Sequence, residues 1–129
     1  MFFAPPAELE AEVFAQVPQD MAPDRASEWG SVQHPGKQFR AFLEGPSFDR
    51  EGNLYCVDIC HGRILRCDPN GEFTVAAQYD GEPNGLKIQK DGRIFIADHA
   101  HGLMDHGSGQ WQGGTLSDPP GARAVLWSE

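Results

Sequence analysis

The apolar positions of the chain fall into short runs separated by turn residues, and two of these runs repeat each other. The segment Gly45–Asp58 is matched forty positions further on by Gly85–Asp98, so that Gly52 falls on Gly92. Each copy contains a short apolar segment, an acidic residue and a glycine that predict a turn, and an apolar run that ends in aspartate. Both copies therefore predict a hairpin of two strands.

The first copy continues into two further predicted strands. A His-Gly turn leads into Arg63–Cys67, and the turn signal Asp68–Gly71 separates that strand from the run Glu72–Tyr79. Four antiparallel strands in a period of about 40 residues are typical of a β-propeller blade. The alternative is a β-sandwich whose hairpins resemble one another, which does not require equal spacing.

Composition agrees with many short strands in one soluble domain. The chain has 129 residues, 40% of them apolar and 22% charged, with 15 glycines and 10 prolines that argue against a helical bundle. No apolar run has the roughly 20 residues of a membrane span, and the acidic N-terminus does not resemble a signal peptide, so we expect a cytoplasmic protein. A net charge of −9 disfavours nucleic acid as a partner and favours a cation.

The three cysteines predict reduced thiols rather than a disulfide framework. Cys56, Cys60 and Cys67 are an odd number without secretory context. A structural zinc site is the less favoured alternative, because no C-x2-C pair is present and Cys56 lies in a predicted buried strand.

Two polar residues stand directly before the aligned glycines. Glu44 precedes Gly45 and Asn84 precedes Gly85, at the start of the first strand of each copy. The first strand of every propeller blade lines the central channel, so equivalent positions converge around one axis. A carboxylate and an amide oxygen in one small volume suit a hard cation such as calcium or magnesium. The alternative is that both side chains only cap turns.

Other polar residues of the repeat predict structural roles. Asp58 and Asp98 each end a strand before a turn, where a carboxylate commonly accepts backbone N–H groups. The histidines are interpreted as solvated turn residues rather than a metal cluster, because two of them occupy the equivalent turn of different blades; they are His61, His99, His101 and His106.

With these residues in view, the chain resembles the senescence marker protein, gluconolactonase and luciferin-regenerating enzyme-like family. The resemblance is carried by Phe42–Tyr55, Gly62–Ile64 and Tyr79–Leu86, and it runs from about Phe42 to Met104. Glu-Gly-Pro and Pro-Asn-Gly-Leu occur in the family's order and one blade apart, which makes the signal fairly specific.

The resemblance implies a six-bladed propeller that holds one divalent cation and hydrolyses lactones. Calcium is the favoured cation, with zinc, magnesium and manganese as alternatives, and the ligand is a small lactone or sugar acid. Glu44 matches the family's first-blade metal ligand, and Asn84 matches an asparagine that contacts substrate or the metal environment. The family's other ligands and its aspartate base come from later blades beyond the end of this chain, so no catalytic residue is assigned and an isolated chain is expected to be inactive.

The predicted fold class is therefore all-β, a partial six-bladed β-propeller of about two four-stranded blades plus an N-terminal strand. Residues 1–41 form the N-terminal segment, with a strand predicted over Leu9–Val17 because its apolar residues alternate. Residues 42–81 form the first blade, 82–104 the first half of the second, and 105–129 a diverged or unrelated tail.

Two other functions stay open at this point. One is a noncatalytic propeller fragment that keeps Glu44 and Asn84 but lacks the base. The other is an interaction module that pairs with partners, or self-associates, through its open strand edges.

Overall fold

Seven β-strands in two antiparallel sheets make up the fold of residues 5–23 and 26–106, which the computed structural model describes. Sheet 1 has the order β1 (Leu43–Phe48), β2 (Leu54–Asp58), β3 (Arg63–Cys67) and β4 (Phe73–Gln78). Sheet 2 has the order β5 (Pro83–Ile88), β6 (Ile94–Asp98) and β7 (Gly102–His106). The strands follow one another as hairpins, which confirms the predicted partial propeller.

The turns form where the acidic-Gly signals predicted them. In the β1–β2 turn the Asp49 carboxylate accepts hydrogen bonds from the backbone N–H groups of Glu51 and Asn53, at 3.0 and 2.8 Å. Gly52 and Gly92 occupy equivalent turn positions with φ of 84° and 86°, a left-handed conformation that glycine adopts without strain. The repeat in the sequence is therefore a repeat of local backbone geometry.

The core lies between the two sheets. Sheet 1, together with Tyr79 directly after β4, forms one side of the core, and sheet 2 forms the other. The buried core residues are Val57, Ile64, Ala76, Ala77, Tyr79, Leu86, Ile94 and Ile96. Two polar contacts cross the same interface. The Ile88 N–H donates to the Ser47 hydroxyl at 3.2 Å, and the Tyr79 hydroxyl donates to the Asp98 carboxylate at 2.7 Å.

The prediction of an N-terminal strand over Leu9–Val17 is wrong. That segment forms no strand, and Leu9 and Val13 are 93% and 76% exposed. A strand needs a neighbour to pair its backbone groups, and alternating apolar residues cannot supply one. The segment instead crosses sheet 1, with the Val17 carbonyl accepting from the Arg40 guanidinium at 3.1 Å.

A short α-helix, α1 (Glu28–Gln33), follows the segment, at a place where the sequence predicted no helix. The Ser27 hydroxyl caps its N-terminus by accepting from the Gly30 N–H at 3.0 Å. The helix packs through an aromatic cluster in which neighbouring ring centroids lie 5.2 to 5.7 Å apart; its members are Trp29, His34, Phe39 and Phe42. Through these ring contacts Trp29 anchors the chain just before β1.

Within the described ranges, no helix combines the length and apolar character that a membrane span needs. β7 continues through Asp105 and His106, two residues into the predicted tail. The rest of that tail lies outside the described residues, so its predicted divergence from the family stays a prediction.

Candidate functional site

The site begins with the contact between β1 and β5, the first strands of the two sheets. Gly45 has φ of 54°, and the position that a Cβ atom would take there lies 2.9 Å from the Cα of Gly85 and closer still to the backbone nitrogen of Leu86. No side chain fits between the two backbones at this point. The aligned glycines of the sequence repeat therefore mark the close approach of two neighbouring strands.

Glu44 and Asn84 flank this contact from matching positions. Glu44 directly precedes Gly45 and Asn84 directly precedes Gly85, and both side chains are exposed. The pairing of β1 with β2 shifts between Glu44 and Ser47, and that of β5 with β6 shifts between Pro83 and Gly85. Such bulges re-aim side chains at the rims of sheets. The structure thus brings the backbones that carry these two residues together at the N-terminal ends of β1 and β5.

Glu44 and Asn84 offer the kind of oxygen ligand that a divalent cation binds, but two residues are too few to complete its coordination. A carboxylate and an amide oxygen are hard ligands of the kind that calcium and magnesium take. Calcium, however, takes about six to eight oxygens. In the described part of the chain, no group of three or more His, Cys, Asp or Glu residues is arranged to hold a metal ion. Glu44 and Asn84 can therefore form only part of a metal site.

The structural role predicted for Asp58 is confirmed. Its side chain is fully buried, accepts from the Phe42 N–H at 3.0 Å and pairs with the Arg63 guanidinium at 2.6 and 2.9 Å. Arg63 also donates to the carbonyl oxygens of Met21 and Arg40, at 2.7 and 3.3 Å. The pair therefore ties the N-terminal segment to the end of sheet 1 that carries Glu44, since Asp58 lies opposite Leu43.

Asp98 has the equivalent role in sheet 2. One of its oxygens accepts from the N–H groups of Ala100 and His101, at 2.8 and 2.9 Å, and the other accepts from the Tyr79 hydroxyl. Burial, and then the neighbouring carboxylate, raise the pKa of the Tyr79 phenol far above its ordinary value. Tyr79 thus stays a hydrogen-bond donor at physiological pH. The sequence repeat located this aspartate but gave no signal for its tyrosine partner.

The histidines are placed in turns, and one of them is not fully solvated. His61 is half-buried, with its Nε2 atom 3.2 Å from the Phe39 carbonyl oxygen. His99 and His101 are exposed, and the Nε2 atom of His101 lies 2.6 Å from the Asp80 carbonyl oxygen. The description of His61 as a solvated turn residue is corrected, because the chain entering β1 passes over its ring. The side chain of His106 lies outside the described residues.

The cysteines are free thiols buried in the fold. Cys56, Cys60 and Cys67 are all buried, with exposed fractions of 6%, 7% and 2%. Burial raises the pKa of each thiol, which favours the protonated form and lowers its nucleophilicity and its affinity for metals. The thiols therefore act as small hydrophobic groups in the described structure.

Comparison with known proteins gives matches over part of the chain. No protein-family model matches it. Over 73 residues, 55% of this chain, it is 37% identical to a protein named Lactonase drp35 from Staphylococcus epidermidis strain RP62A. Over a stretch of the same length it is 34% identical to Lactonase drp35 from Staphylococcus aureus strain MRSA252. In both cases the match covers 21% of the relative, so the chain spans about a fifth of the length of these proteins.

Proposed function

From about Phe42 to Met104 the chain resembles the N-terminal portion of the senescence marker protein, gluconolactonase and luciferin-regenerating enzyme-like family. We therefore propose that it supplies part of the active site of a cation-dependent lactone hydrolase. The relatives are named lactonases, and their names concern whole chains about five times longer than the matched stretch. The proposal therefore concerns what Glu44 and Asn84 contribute to such a site.

One observation carries the proposal, the close approach of β1 and β5 at Gly45 and Gly85. It holds the strands that carry Glu44 and Asn84 against each other, and both side chains are free to reach solvent. Two residues that only capped turns would not need their backbones in contact with one another. A ligand bound by both side chains would account for the close approach of the two strands.

The two residues would act differently. The Glu44 carboxylate supplies negative charge and oxygen donors for a cation, of which calcium is the first choice. The Asn84 amide offers an oxygen to the cation and an N–H donor to a hydroxyl or carbonyl of the substrate. When bound, the cation would supply Lewis-acid polarisation of the lactone carbonyl. The general base that takes a proton from water is not assigned to any residue of this chain.

A lactone-opening assay tests the proposal. An isolated chain is expected to be inactive, so turnover is expected only where several copies together complete the site. Such an assembly should open a simple aldonolactone in a reaction that stops with a chelator and returns with added calcium. Glu44→Gln should lower this turnover about 10-fold or more, since changes even to groups around metal ligands cost 10- to 100-fold. Glu51→Gln, in the exposed β1–β2 turn, removes the same charge away from the site and should leave the rate unchanged.

A noncatalytic fragment is the second candidate, and the incomplete ligand set favours it. In that case the chain binds calcium weakly, near millimolar, and shows no chelator-sensitive turnover. Turnover that persists in chelator, or that Glu51→Gln lowers as much as Glu44→Gln, would contradict the lactonase proposal.

A further inference from the structure

Sheet 1 has an exposed apolar face, on the side away from sheet 2. The strand register places Leu43 opposite Asp58, Phe48 opposite Leu54 and Val75 opposite Leu65, all on one face. We call this the outer face of sheet 1. Leu43, Phe48 and Val75 are 39%, 66% and 38% exposed. Phenylalanine at two-thirds exposure is costly unless something covers it.

The N-terminal segment covers only the middle of this face. Ala15 lies against Gly71 in the β3–β4 turn, and Met21 accepts from Arg63 at the opposite end of β3. The segment therefore passes along β3 and leaves both flanks open. Its own Val13 and Phe14 add to the exposed apolar surface at 76% and 69%.

The sequence repeat shows what fits the outer face of sheet 1. Its residues Leu43, Phe48 and Cys56 correspond to Pro83, Ile88 and Ile96 of sheet 2. In sheet 2 those three positions are the ones that pack against sheet 1, since Pro83 and Ile96 are buried and Ile88 borders the core. The outer face of sheet 1 is thus a second copy of a surface that this chain already covers with a sheet.

The surface that would fit the outer face of sheet 1 lies at the opposite end of the molecule, on sheet 2. On sheet 2, the face turned away from sheet 1 carries a series of exposed or half-buried residues: Lys87, Phe95, Ala97 and Leu103. We call this the outer face of sheet 2. Lys87, Phe95 and Ala97 correspond to Ser47, Tyr55 and Val57, which turn toward sheet 2 within the chain.

Charge favours the same pairing. The N-terminal segment carries Glu8, Glu10 and Glu12, all exposed, before the point where Ala15 meets the β3–β4 turn. That turn and the β1–β2 turn lie at the same end of sheet 1. The equivalent β5–β6 turn of sheet 2 carries Lys90 and Arg93, both exposed, although Arg93 already pairs with Asp91 at 2.8 Å. Stacking in the orientation of the two sheets within the chain would place the acidic residues of one copy at the same end of the stack as Lys90 and Arg93 of the other.

We infer that the outer face of sheet 1 binds the outer face of sheet 2 of a second copy of this chain. The two surfaces differ, so the contact is head-to-tail and repeats until a ring closes. Propellers close with about four to eight sheets. The described part of each copy brings two sheets, so a ring closed by these sheets would contain about two to four copies. The contact lies between sheet faces rather than between the strand edges considered from the sequence.

Light scattering coupled to gel filtration tests this inference with matched variants of the full chain. Wild type should have the mass of two to four copies, and Phe48→Glu and Ala97→Glu should each be monomeric. Val32→Glu replaces an apolar side chain that is 71% exposed on α1, outside both faces, and should assemble like wild type. Circular dichroism spectra that match wild type show that each variant is folded.

Mixing the variants decides whether the contact is head-to-tail. Phe48→Glu keeps its outer face of sheet 2 intact, and Ala97→Glu keeps its outer face of sheet 1 intact. An equimolar mixture should therefore form 1:1 dimers, although each variant alone is monomeric. A monomeric wild type at all concentrations would overturn the inference, as would assembly that survives Phe48→Glu, which would point to pairing at strand edges or to the tail.

Discussion

Gly45→Ala should destabilise the chain by about 3 kcal/mol, combining roughly 1–2 kcal/mol for a side chain in the left-handed region with about 1–3 kcal/mol for overpacking. The added methyl group would meet the backbone of Gly85 and Leu86 rather than a flexible side chain. Backbone cannot move aside without separating the two sheets, so the core between them loosens. The midpoint of urea denaturation, followed by circular dichroism, measures the loss.

Gly36→Ala is the matched control for that substitution. Gly36 has φ of 78°, and a Cβ atom there would have no neighbour within 4 Å. It therefore reports the conformational cost alone, about 1–2 kcal/mol. Equal losses at the two glycines would show that β1 and β5 do not touch at Gly45, and the shared site would lose its geometric basis.

Asp58→Asn should cost about 3 kcal/mol or more, the range for removing one partner of a buried ion pair. The amide keeps the shape of the carboxylate but leaves the Arg63 guanidinium, itself 4% exposed, without its counter-charge. The same change weakens the bond to the Phe42 N–H, just before β1. The N-terminal segment should loosen with it, which faster hydrogen exchange near Met21 would report.

An exposed ion pair in sheet 2 provides the control for the Asp58→Asn substitution. Asp91 and Arg93 form a 2.8 Å ion pair in which both side chains are about half exposed. Water and salt screen such a pair, so Asp91→Asn should leave the denaturation midpoint near that of wild type. If Asp58→Asn is as harmless as Asp91→Asn, then the buried pair does not hold the segment over sheet 1.

The repeat made most of the fold predictable. Equal spacing of the glycine turns and of Asp58 and Asp98 required two similar hairpins, and local turn chemistry fixed their boundaries. The N-terminal segment was misjudged because alternation of apolar residues reports a possible strand face but not the presence of a neighbouring strand. Helix α1 was missed because its six residues carry no apolar period long enough to detect.

The site was predictable only at the level of positions. Sequence alone located Glu44 and Asn84 as equivalent residues before aligned glycines. It gave no signal for the backbone contact at Gly45 or for the bond between Tyr79 and Asp98, because both join residues of different hairpins. Contacts between hairpins depend on how the sheets stack, which no local pattern encodes.

If Glu44 and Asn84 bind the same cation, a double-mutant cycle on calcium affinity will show that their effects are coupled. Calorimetric titration of wild type, Glu44→Gln, Asn84→Ala and the double variant gives four binding free energies. Side chains that ligate one ion should be coupled by about 0.5–3 kcal/mol, so the double variant loses less affinity than the two single losses together. Losses that simply add, or calcium binding that neither substitution changes, would contradict the shared site.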